Sequence, residues 1–439
     1  MVEFASIFFN FELPTPTTWF YFSLLLAVAL FFKFSRLLSV RNWDVLTLFL
    51  LVPGLLLILE ARASDSPQLR WFGYLWLLGG SGYFLTRCLV DLALVRRPAL
   101  SPNLNPGGLA WLAGALFVSL LAVAVSEPSV RPEQNGAAPA PVDQVERQIN
   151  REAAPTKWVE PTLAILCHLA VVAGLIFVGW RHYQDVHGGM AAATFYLLLP
   201  YTFLLLPYSV LHIGQWQHAL PMALIVWAVA SFRLPTLAGL LLGLAAGGLY
   251  FPALLAPVWY SFYWRRGAGR FAAAFLLAAG LSLAATGTVL WLQGELYPSL
   301  QSAVTLSDWQ AWKVPTTESF WQGPSGTGVH WAYRIPVFIA YLAFVLTTAF
   351  WPMPKNLGHV LALSAAILIG LQFWYADQGG IYVLWYLPLL LLLVFRPNLA
   401  DRRPAVIQAE TDWLARLGRV LKRWTARLVR SPEPLARVR

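Results

Sequence analysis

Apolar segments about as long as a lipid bilayer is thick recur along almost the whole chain. A helix crosses the hydrocarbon core of a bilayer with roughly 20 apolar residues. Hydrophobic residues make up 58% of the 439 residues and charged residues 12%, against roughly 25% charged in ordinary soluble domains. Because a soluble fold could not bury so much apolar surface, the sequence predicts an all-α, polytopic integral membrane protein.

About eleven segments are predicted to cross the membrane as full helices. A further apolar stretch, 235–264, is too long for one helix and short for two, and Gly247, Gly248 and Pro252 interrupt it. We expect this stretch to form a broken pair of half-length helices. The full spans are predicted at 17–33, 44–60, 71–94, 107–125, 161–180, 190–207, 219–232, 270–292, 336–352, 357–375 and 380–395.

Lysine and arginine predict the orientation of these spans. One set of alternate loops, together with the C-terminal tail, holds 22 of these residues, and the opposite set holds 8. Basic residues favour the cytoplasmic side, so we expect a multi-pass protein of the inner (cytoplasmic) membrane, with its N-terminus outside and its C-terminus inside. Arg233 and Arg266 flank the stretch 235–264 and must then lie on the same side. A half-helix pair satisfies this, and a single tilted helix is the alternative.

Composition divides the chain into four parts. Residues 1–125 form a module of four spans, 126–160 an outer linker rich in Pro and Ala with one short helix, 161–395 the main membrane domain, and 396–439 a basic tail. The tail supplies +7 of the net charge of +10, and its apolar residues follow helical spacing. This pattern predicts an amphipathic helix on anionic lipids of the inner leaflet. Nucleic acid is the weaker alternative partner and is not expected.

Polar side chains concentrate at the predicted outer face just before the broken pair. His212, Gln215 and His218 lie there between two short spans, and a hydrogen-bonding lining for a polar head group is the favoured interpretation. Two histidines without a third ligand do not form a zinc motif, so no metal is expected. The outer loop 293–335 is rich in aromatic residues, which favours either an interfacial belt or a lid over a pocket.

The segment 208–266 resembles the bacterial polyprenyl-phosphate-mannose-dependent mannosyltransferases of the GT-C superfamily. The likeness rests on Gly214–Gln215, an apolar span, the Gly239-x3-Gly243 spacing, Pro252 with Pro257, and Arg265–Arg266. It covers about sixty residues. Leu249–Tyr250–Phe251 occupies the place where the family commonly has a lysine before the hairpin proline, and no DxD-like pair is present.

The resemblance implies a GT-C-like fold and a membrane glycosyltransferase. Such an enzyme transfers a sugar from a polyprenyl-phosphate donor to an acceptor at the outer face, with no nucleotide or other cofactor. An outer carboxylate would act as the general base on the acceptor hydroxyl. The substrate-binding candidates are His212, Gln215, His218, Lys313, His330 and Arg334, and the catalytic candidates, of which one is expected, are Glu60, Asp65, Asp143, Asp308 and Asp377.

Two other classes of function stay open. A helix broken at mid-membrane is equally a feature of transporters, so a transporter or flippase of a lipid-linked or polar solute is the first alternative. A non-catalytic membrane subunit is the second, because spacing alone does not single out a catalytic acid.

Overall fold

A computed structural model describes residues 15–93, 100–126, 159–205, 216–292, 294, 310–315, 319–322, 329–376, 382–397 and 423. Within these ranges the chain forms α-helices joined by short turns and contains no β-strand. The all-α prediction is therefore confirmed for the part of the chain that the structure describes.

The helices before the hairpin follow the predicted segments closely. Two of the predicted spans are each divided into two helices, α2 with α3 and α7 with α8. The helices are α1 Pro16–Phe31, α2 Val40–Thr47, α3 Val52–Ala63, α4 Pro67–Asp91, α5 Pro106–Ser126, α6 Val159–Val178, α7 Val186–Leu198, α8 Pro200–Leu205 and α9 Trp216–Ala230.

The remaining helices begin with the predicted broken pair. Its arms are α10 and α11, with a 3-10 turn, Phe251–Leu255, between them. The helices are α10 Pro235–Gly248, α11 Ala256–Phe262, α12 Ala268–Leu292, α13 Arg334–Phe350, α14 Leu357–Trp374 and α15 Leu387–Val394.

Capping residues in the sequence set several helix starts. The side chains of Ser39, Ser66 and Asp185 each accept a hydrogen bond from the backbone N–H three residues later. Asn356 does the same at the start of α14, where the His359 side chain also accepts from the backbone N–H of Asn356. Such caps satisfy backbone donors that a helix leaves free at its N-terminus.

Six helices in the described ranges are long and apolar enough to cross a membrane, which supports a multi-pass membrane protein. They are Val40–Ala63, Pro106–Ala124, Pro161–Tyr183, Ala268–Leu292, Trp331–Phe350 and Leu357–Trp374. Each of the eleven predicted segments overlaps a helix, but some of these are short, and α15 has only 8 residues. The predicted count of about eleven full spans is therefore not confirmed.

The stretch 235–264 is broken as predicted. Leu249 follows α10 with extended backbone angles, φ −126° and ψ 137°, and the chain then turns through the 3-10 segment into α11. Tyr263 Oη donates a hydrogen bond to the carbonyl oxygen of Phe232 at 2.7 Å, so the two ends of the stretch lie side by side. A single tilted helix is excluded, because its ends would be tens of ångströms apart.

Three glycines let α10 pack directly on α12. A Cβ at Gly239 would meet the carbonyl oxygen of Phe271, one at Gly243 that of Phe275, and one at Gly247 the Cβ of Ser282. The contacts advance in the same direction along both helices, so α10 and α12 run parallel and α11 is the returning arm. Small residues at this spacing allow the close backbone approach that drives helix association in membranes.

Gly243→Ala should lower the free energy of unfolding by about 2 kcal/mol, because the new methyl group meets the backbone of Phe275 and forces the helices apart. Gly280→Ala is the matched control. A Cβ at Gly280 on α12 would meet nothing within 4 Å, and alanine favours a helix over glycine. Denaturation in detergent measures both changes, and equal stability of the two variants would contradict the packing.

Buried charges tie the front and rear of the chain together. Arg87 forms salt bridges with Asp44 at 3.1 Å and with Asp91 at 3.2 Å, and Arg396 forms an ion pair with the other carboxylate oxygen of Asp91 at 2.9 Å. Arg87 and Asp91 are four residues apart on α4, a spacing at which opposite charges on one helix face can pair, and Asp44 and Arg396 add one partner at each side. Two arginines and two aspartates form a neutral group, which we call the charge quartet.

Asp91→Asn should destabilise the protein by about 3 kcal/mol or more, because it leaves an excess positive charge in a buried network. The matched control is Asp65→Asn. The Asp65 side chain is 97% exposed and pairs only with Arg70 at 3.4 Å, so its loss should cost less than about 1 kcal/mol. Equal costs for the two substitutions would show that burial of the quartet does not matter.

Candidate functional site

Four rings form a column where the broken hairpin meets the last helices. Phe251, in the 3-10 turn of the hairpin, stacks on Trp385 with ring centres 3.8 Å apart. Trp385 stacks on Tyr382 at 4.3 Å, and Tyr382 on His218 at 5.3 Å. The three aromatic residues are buried, whereas His218, in the first turn of α9, is half-buried. We call Phe251, Trp385, Tyr382 and His218 the ring stack.

A hydrogen bond from Trp385 determines the tautomer of the neutral His218 imidazole. Trp385 Nε1–H donates to His218 Nδ1 at 3.1 Å. Because an indole nitrogen only donates, Nδ1 must be unprotonated, and the proton of the neutral imidazole is on Nε2. His218 is therefore held as a hydrogen-bond donor at Nε2. This suits a side chain that binds an anionic or carbonyl oxygen.

A buried amide supports the ring stack from behind. Gln372, in the last turn of α14, is fully buried, and its Nε2 donates to the carbonyl oxygen of Tyr382 at 2.8 Å. The reversed amide would place two acceptors against each other, so the orientation is fixed. Gln372 Oε1 has no hydrogen-bond partner among the described residues. A buried acceptor without a partner costs about 1–3 kcal/mol, which favours a role for this oxygen in binding a hydroxyl group or water.

The described parts of the aromatic loop 293–335 pack onto the ends of the helices. Phe320 stacks on Trp71 near the start of α4, with ring centres 5.5 Å apart. The indole N–H of Trp321 donates to the carbonyl oxygen of Phe373 at 3.0 Å, one residue from Gln372. The loop therefore folds back over the same end of the bundle as the last turn of α14.

The predicted binding residues of this loop differ in exposure. Lys313 is exposed. His330 is exposed as well, and its Nδ1 accepts a hydrogen bond from the backbone N–H of Ala332 at the start of a short 3-10 turn. Arg334 is only 1% exposed and begins α13, so its guanidinium lies inside the protein.

Two of the five candidate acids lie in the described ranges, and both are exposed near the turn between α3 and α4. Glu60 is in the last turn of α3 and makes no ion pair with another described residue, whereas Asp65 pairs with Arg70. Neither forms a hydrogen bond or ion pair with the ring stack. His212, Gln215, Asp143, Asp308 and Asp377 fall outside the described residues, so their convergence on one cavity stays a prediction. Within the described ranges no three or more His, Cys, Asp or Glu side chains are grouped to hold a metal ion.

Sequence reasoning found one of the four residues of the ring stack. His218 stands out because it lies in a polar segment before the hairpin. Phe251 is adjacent to the predicted break, but nothing in its neighbourhood indicates a stacking partner. Tyr382, Trp385 and Gln372 lie in or next to apolar spans. The sequence there does not distinguish an aromatic or amide residue inside the helix bundle from one at the membrane–water interface. Only the fold brings them together.

Comparisons of the chain with models of protein families, with curated proteins and with solved structures found no match.

Trp385→Phe should keep the ring contacts and remove only the donor to His218. We expect the Nδ1 tautomer of His218 to become populated and the free energy of unfolding to fall by about 1 kcal/mol, the usual net value of one hydrogen bond. Nitrogen NMR of histidine-labelled protein measures the tautomer. Trp312→Phe, at an exposed loop position, is the control. A His218 spectrum that is the same in all three proteins would contradict the assignment.

The base of the hairpin is held by a buried lysine. Lys355, between α13 and α14, is fully buried, and its ammonium group donates to Ser261 Oγ on α11 at 2.6 Å and to the carbonyl oxygen of Pro352 at 3.1 Å. Burial lowers the pKa of Lys355 from 10.5 to about 8. Lys355 thus joins the returning arm of the hairpin to the turn before α14.

The lowered pKa of Lys355 predicts a pH dependence of stability. Between about pH 8 and 10 the unfolded lysine still binds a proton that the folded one has lost, so the stability of the protein relative to Lys355→Met should rise with pH. The slope is at most about 1.4 kcal/mol per pH unit. Denaturation of both proteins across this range measures the difference. A constant difference from pH 7 to 10 would show that the folded-state pKa is not lowered.

Proposed function

We propose that this protein is a membrane glycosyltransferase that transfers a sugar from a polyprenyl-phosphate donor to an acceptor at the outer face of the membrane. The observation that carries the proposal is the contact between the break of the hairpin and the ring stack. A half-helix pair whose break is buried against aromatic rings and polar groups supplies an amphipathic environment inside an apolar bundle. A lipid-linked sugar has the same division between apolar chain and polar head.

We further propose a specific membrane topology. The chain adopts a GT-C-like fold of about eleven full spans plus the broken pair, in the inner membrane, with its N-terminus outside. The base of the hairpin, marked by Arg233 and Arg266, is then cytoplasmic, and the turn between α3 and α4 is outside. The basic tail, 396–439, binds anionic lipids of the inner leaflet. Apart from Arg396, Pro397 and the single residue Arg423, it lies outside the described residues.

The chemistry requires few groups. A bond forms between the acceptor oxygen and the anomeric carbon of the sugar while the bond from that carbon to the phosphate oxygen breaks. An outer carboxylate takes the proton of the acceptor hydroxyl, and polyprenyl phosphate leaves with the bonding electrons. His218 Nε2–H is suited to donate to a phosphate or sugar oxygen, and Gln372 Oε1 to accept from a hydroxyl. Lys313 is an exposed cation for the leaving phosphate.

Transport is the second candidate function. The observation that favours it is that Glu60 and Asp65 form no bond with the ring stack, although a general base must lie within about 3 Å of the hydroxyl it deprotonates. A flippase would use the same hairpin and ring stack to bind a lipid-linked sugar without cleaving it.

Purified protein in vesicles with a radiolabelled polyprenyl-phosphate sugar and a panel of hydroxyl acceptors tests both proposals. We expect release of polyprenyl phosphate, and a loss of at least about 100-fold in rate when one of Glu60, Asp65, Asp143, Asp308 or Asp377 is changed to its amide. Glu433→Gln, in the tail, is the control.

Two results would contradict the proposal that this protein is a glycosyltransferase. The first is equal transfer by all five amide variants, and the second is binding of the donor with no cleavage. Movement of intact donor across the vesicle bilayer would support the flippase instead.

A further inference from the structure

The turn between α1 and α2 presents an unusual concentration of exposed apolar side chains. Phe34 is 67% exposed, Leu37 60% and Leu38 88%, and Trp43 in the first turn of α2 is 55% exposed. The turn contains a short 3-10 segment, Phe34–Arg36. We call residues 33–43 the wedge. Its apolar tip would be costly in water, at about 25 cal/mol for each Å² of apolar surface.

The wedge is held rigidly by one buried amide. The Asn42 side chain accepts a hydrogen bond from the backbone N–H of Lys33 at 2.9 Å and donates to the carbonyl oxygens of Lys33, Arg36 and Leu37 at 3.0–3.2 Å. A second amide, Asn103, donates to the carbonyl oxygens of Ala29 and Phe32 at the end of α1. The fold thus fixes the apolar tip in its exposed position.

Three cations surround the apolar tip. Lys33 donates to Asn103 Oδ1 at 2.6 Å, Arg41 donates to Ser101, and Arg36 is exposed. These acceptors are neutral, and none of the three cations forms an ion pair in the described ranges. The only carboxylate of the wedge region, Asp44, is occupied by Arg87 in the charge quartet. The wedge therefore keeps a charge of about +3 around its apolar tip.

The position of the wedge in the fold identifies its partner. It joins α1, a short apolar helix, to Val40–Ala63, a helix able to cross a membrane, so it lies where these helices leave the apolar region. An apolar tip within a ring of basic and aromatic side chains matches the boundary between acyl chains and anionic head groups. The charge quartet also places Arg396, and hence the start of the basic tail, at this end.

We propose that the wedge inserts Leu37 and Leu38 into the inner leaflet and gathers anionic lipids around Lys33, Arg36 and Arg41. It is a membrane contact separate from the basic tail, and its assignment to the inner leaflet rests on the proposed orientation but not on the proposed sugar transfer. An acidic protein surface is the alternative occupant, and it would leave the tip outside the lipid, so that the label in the experiment below would not be quenched more than its control.

The test places a bimane fluorophore on Leu38→Cys in the full chain, in nanodiscs of phosphatidylglycerol and phosphatidylcholine. A nitroxide on the acyl chain of one lipid or the other quenches the fluorophore on contact. Cys88 and Cys167 are buried and do not compete for the label. The matched control is Asp65→Cys, at an exposed turn with a polar side chain.

We expect the Leu38 label to be quenched several-fold more than the Asp65 label, and more by phosphatidylglycerol than by phosphatidylcholine. Equal quenching of the two labels would overturn insertion. Arg36→Gln, which changes an exposed side chain, should reduce the preference for phosphatidylglycerol by up to about fivefold while the label remains quenched. The recruitment of anionic lipids would be overturned if the preference for phosphatidylglycerol stayed unchanged in Arg36→Gln or after replacement of all three cations by glutamine.

Discussion

Every backbone N–H and C=O group that enters the apolar part of a membrane must find a hydrogen-bond partner inside the protein. The hairpin of α10 and α11 must meet this requirement at its turn, because its backbone leaves the helix between Gly248 and Phe251. Two backbone N–H groups beside the break keep local partners. The N–H of Leu249 still donates to Ala245 at 3.0 Å, and that of Ala253 to Tyr250 at 3.0 Å. Burial of Phe251 and Pro252 completes the shielding.

The hairpin depends on its neighbours at both ends. The glycines of α10 bring it against α12, Lys355 and Tyr263 hold its base together, and the ring stack covers its turn. Each contact uses a different kind of force: close backbone packing, hydrogen bonding of a buried cation, and aromatic stacking. A straight helix in place of the hairpin would lose all three kinds of contact. The break is therefore a property of the tertiary structure as much as of Gly247, Gly248 and Pro252.

The features that could be predicted from the sequence are those that local chemistry determines. The helical segments follow from apolar length, and the hairpin follows from breakers in its middle with basic residues at both ends. An interior position for His168 follows from its place within the apolar segment 161–180, and the residue is fully buried with Nδ1 2.8 Å from the hydroxyl oxygen of Tyr196. Arg87 and Asp91 follow from their spacing of four residues.

The features that could not be predicted depend on contacts between distant parts of the chain. Asp44 and Arg396 complete the charge quartet. Asp44 lies 43 residues before Arg87, and Arg396 lies near the end of the described chain, so no local sequence pattern links them to Arg87 and Asp91. The same holds for Gln372 and Trp385 at the candidate site. The predicted number of spans is not confirmed for a different reason, since an apolar segment such as 380–395 satisfies the length rule although only 8 of its residues form α15.

We propose that the hairpin enters and leaves the membrane on one side. Arg233→Cys and Arg266→Cys, each made in a protein whose Cys88 and Cys167 are replaced by alanine, can be reacted with a membrane-impermeant maleimide in vesicles of opposite orientation. Asp65→Cys reports the other side. We predict that both hairpin positions react only in vesicles that expose the cytoplasmic face, and Asp65→Cys only in the opposite ones. Labelling of Arg233→Cys and Arg266→Cys from different faces would contradict the account.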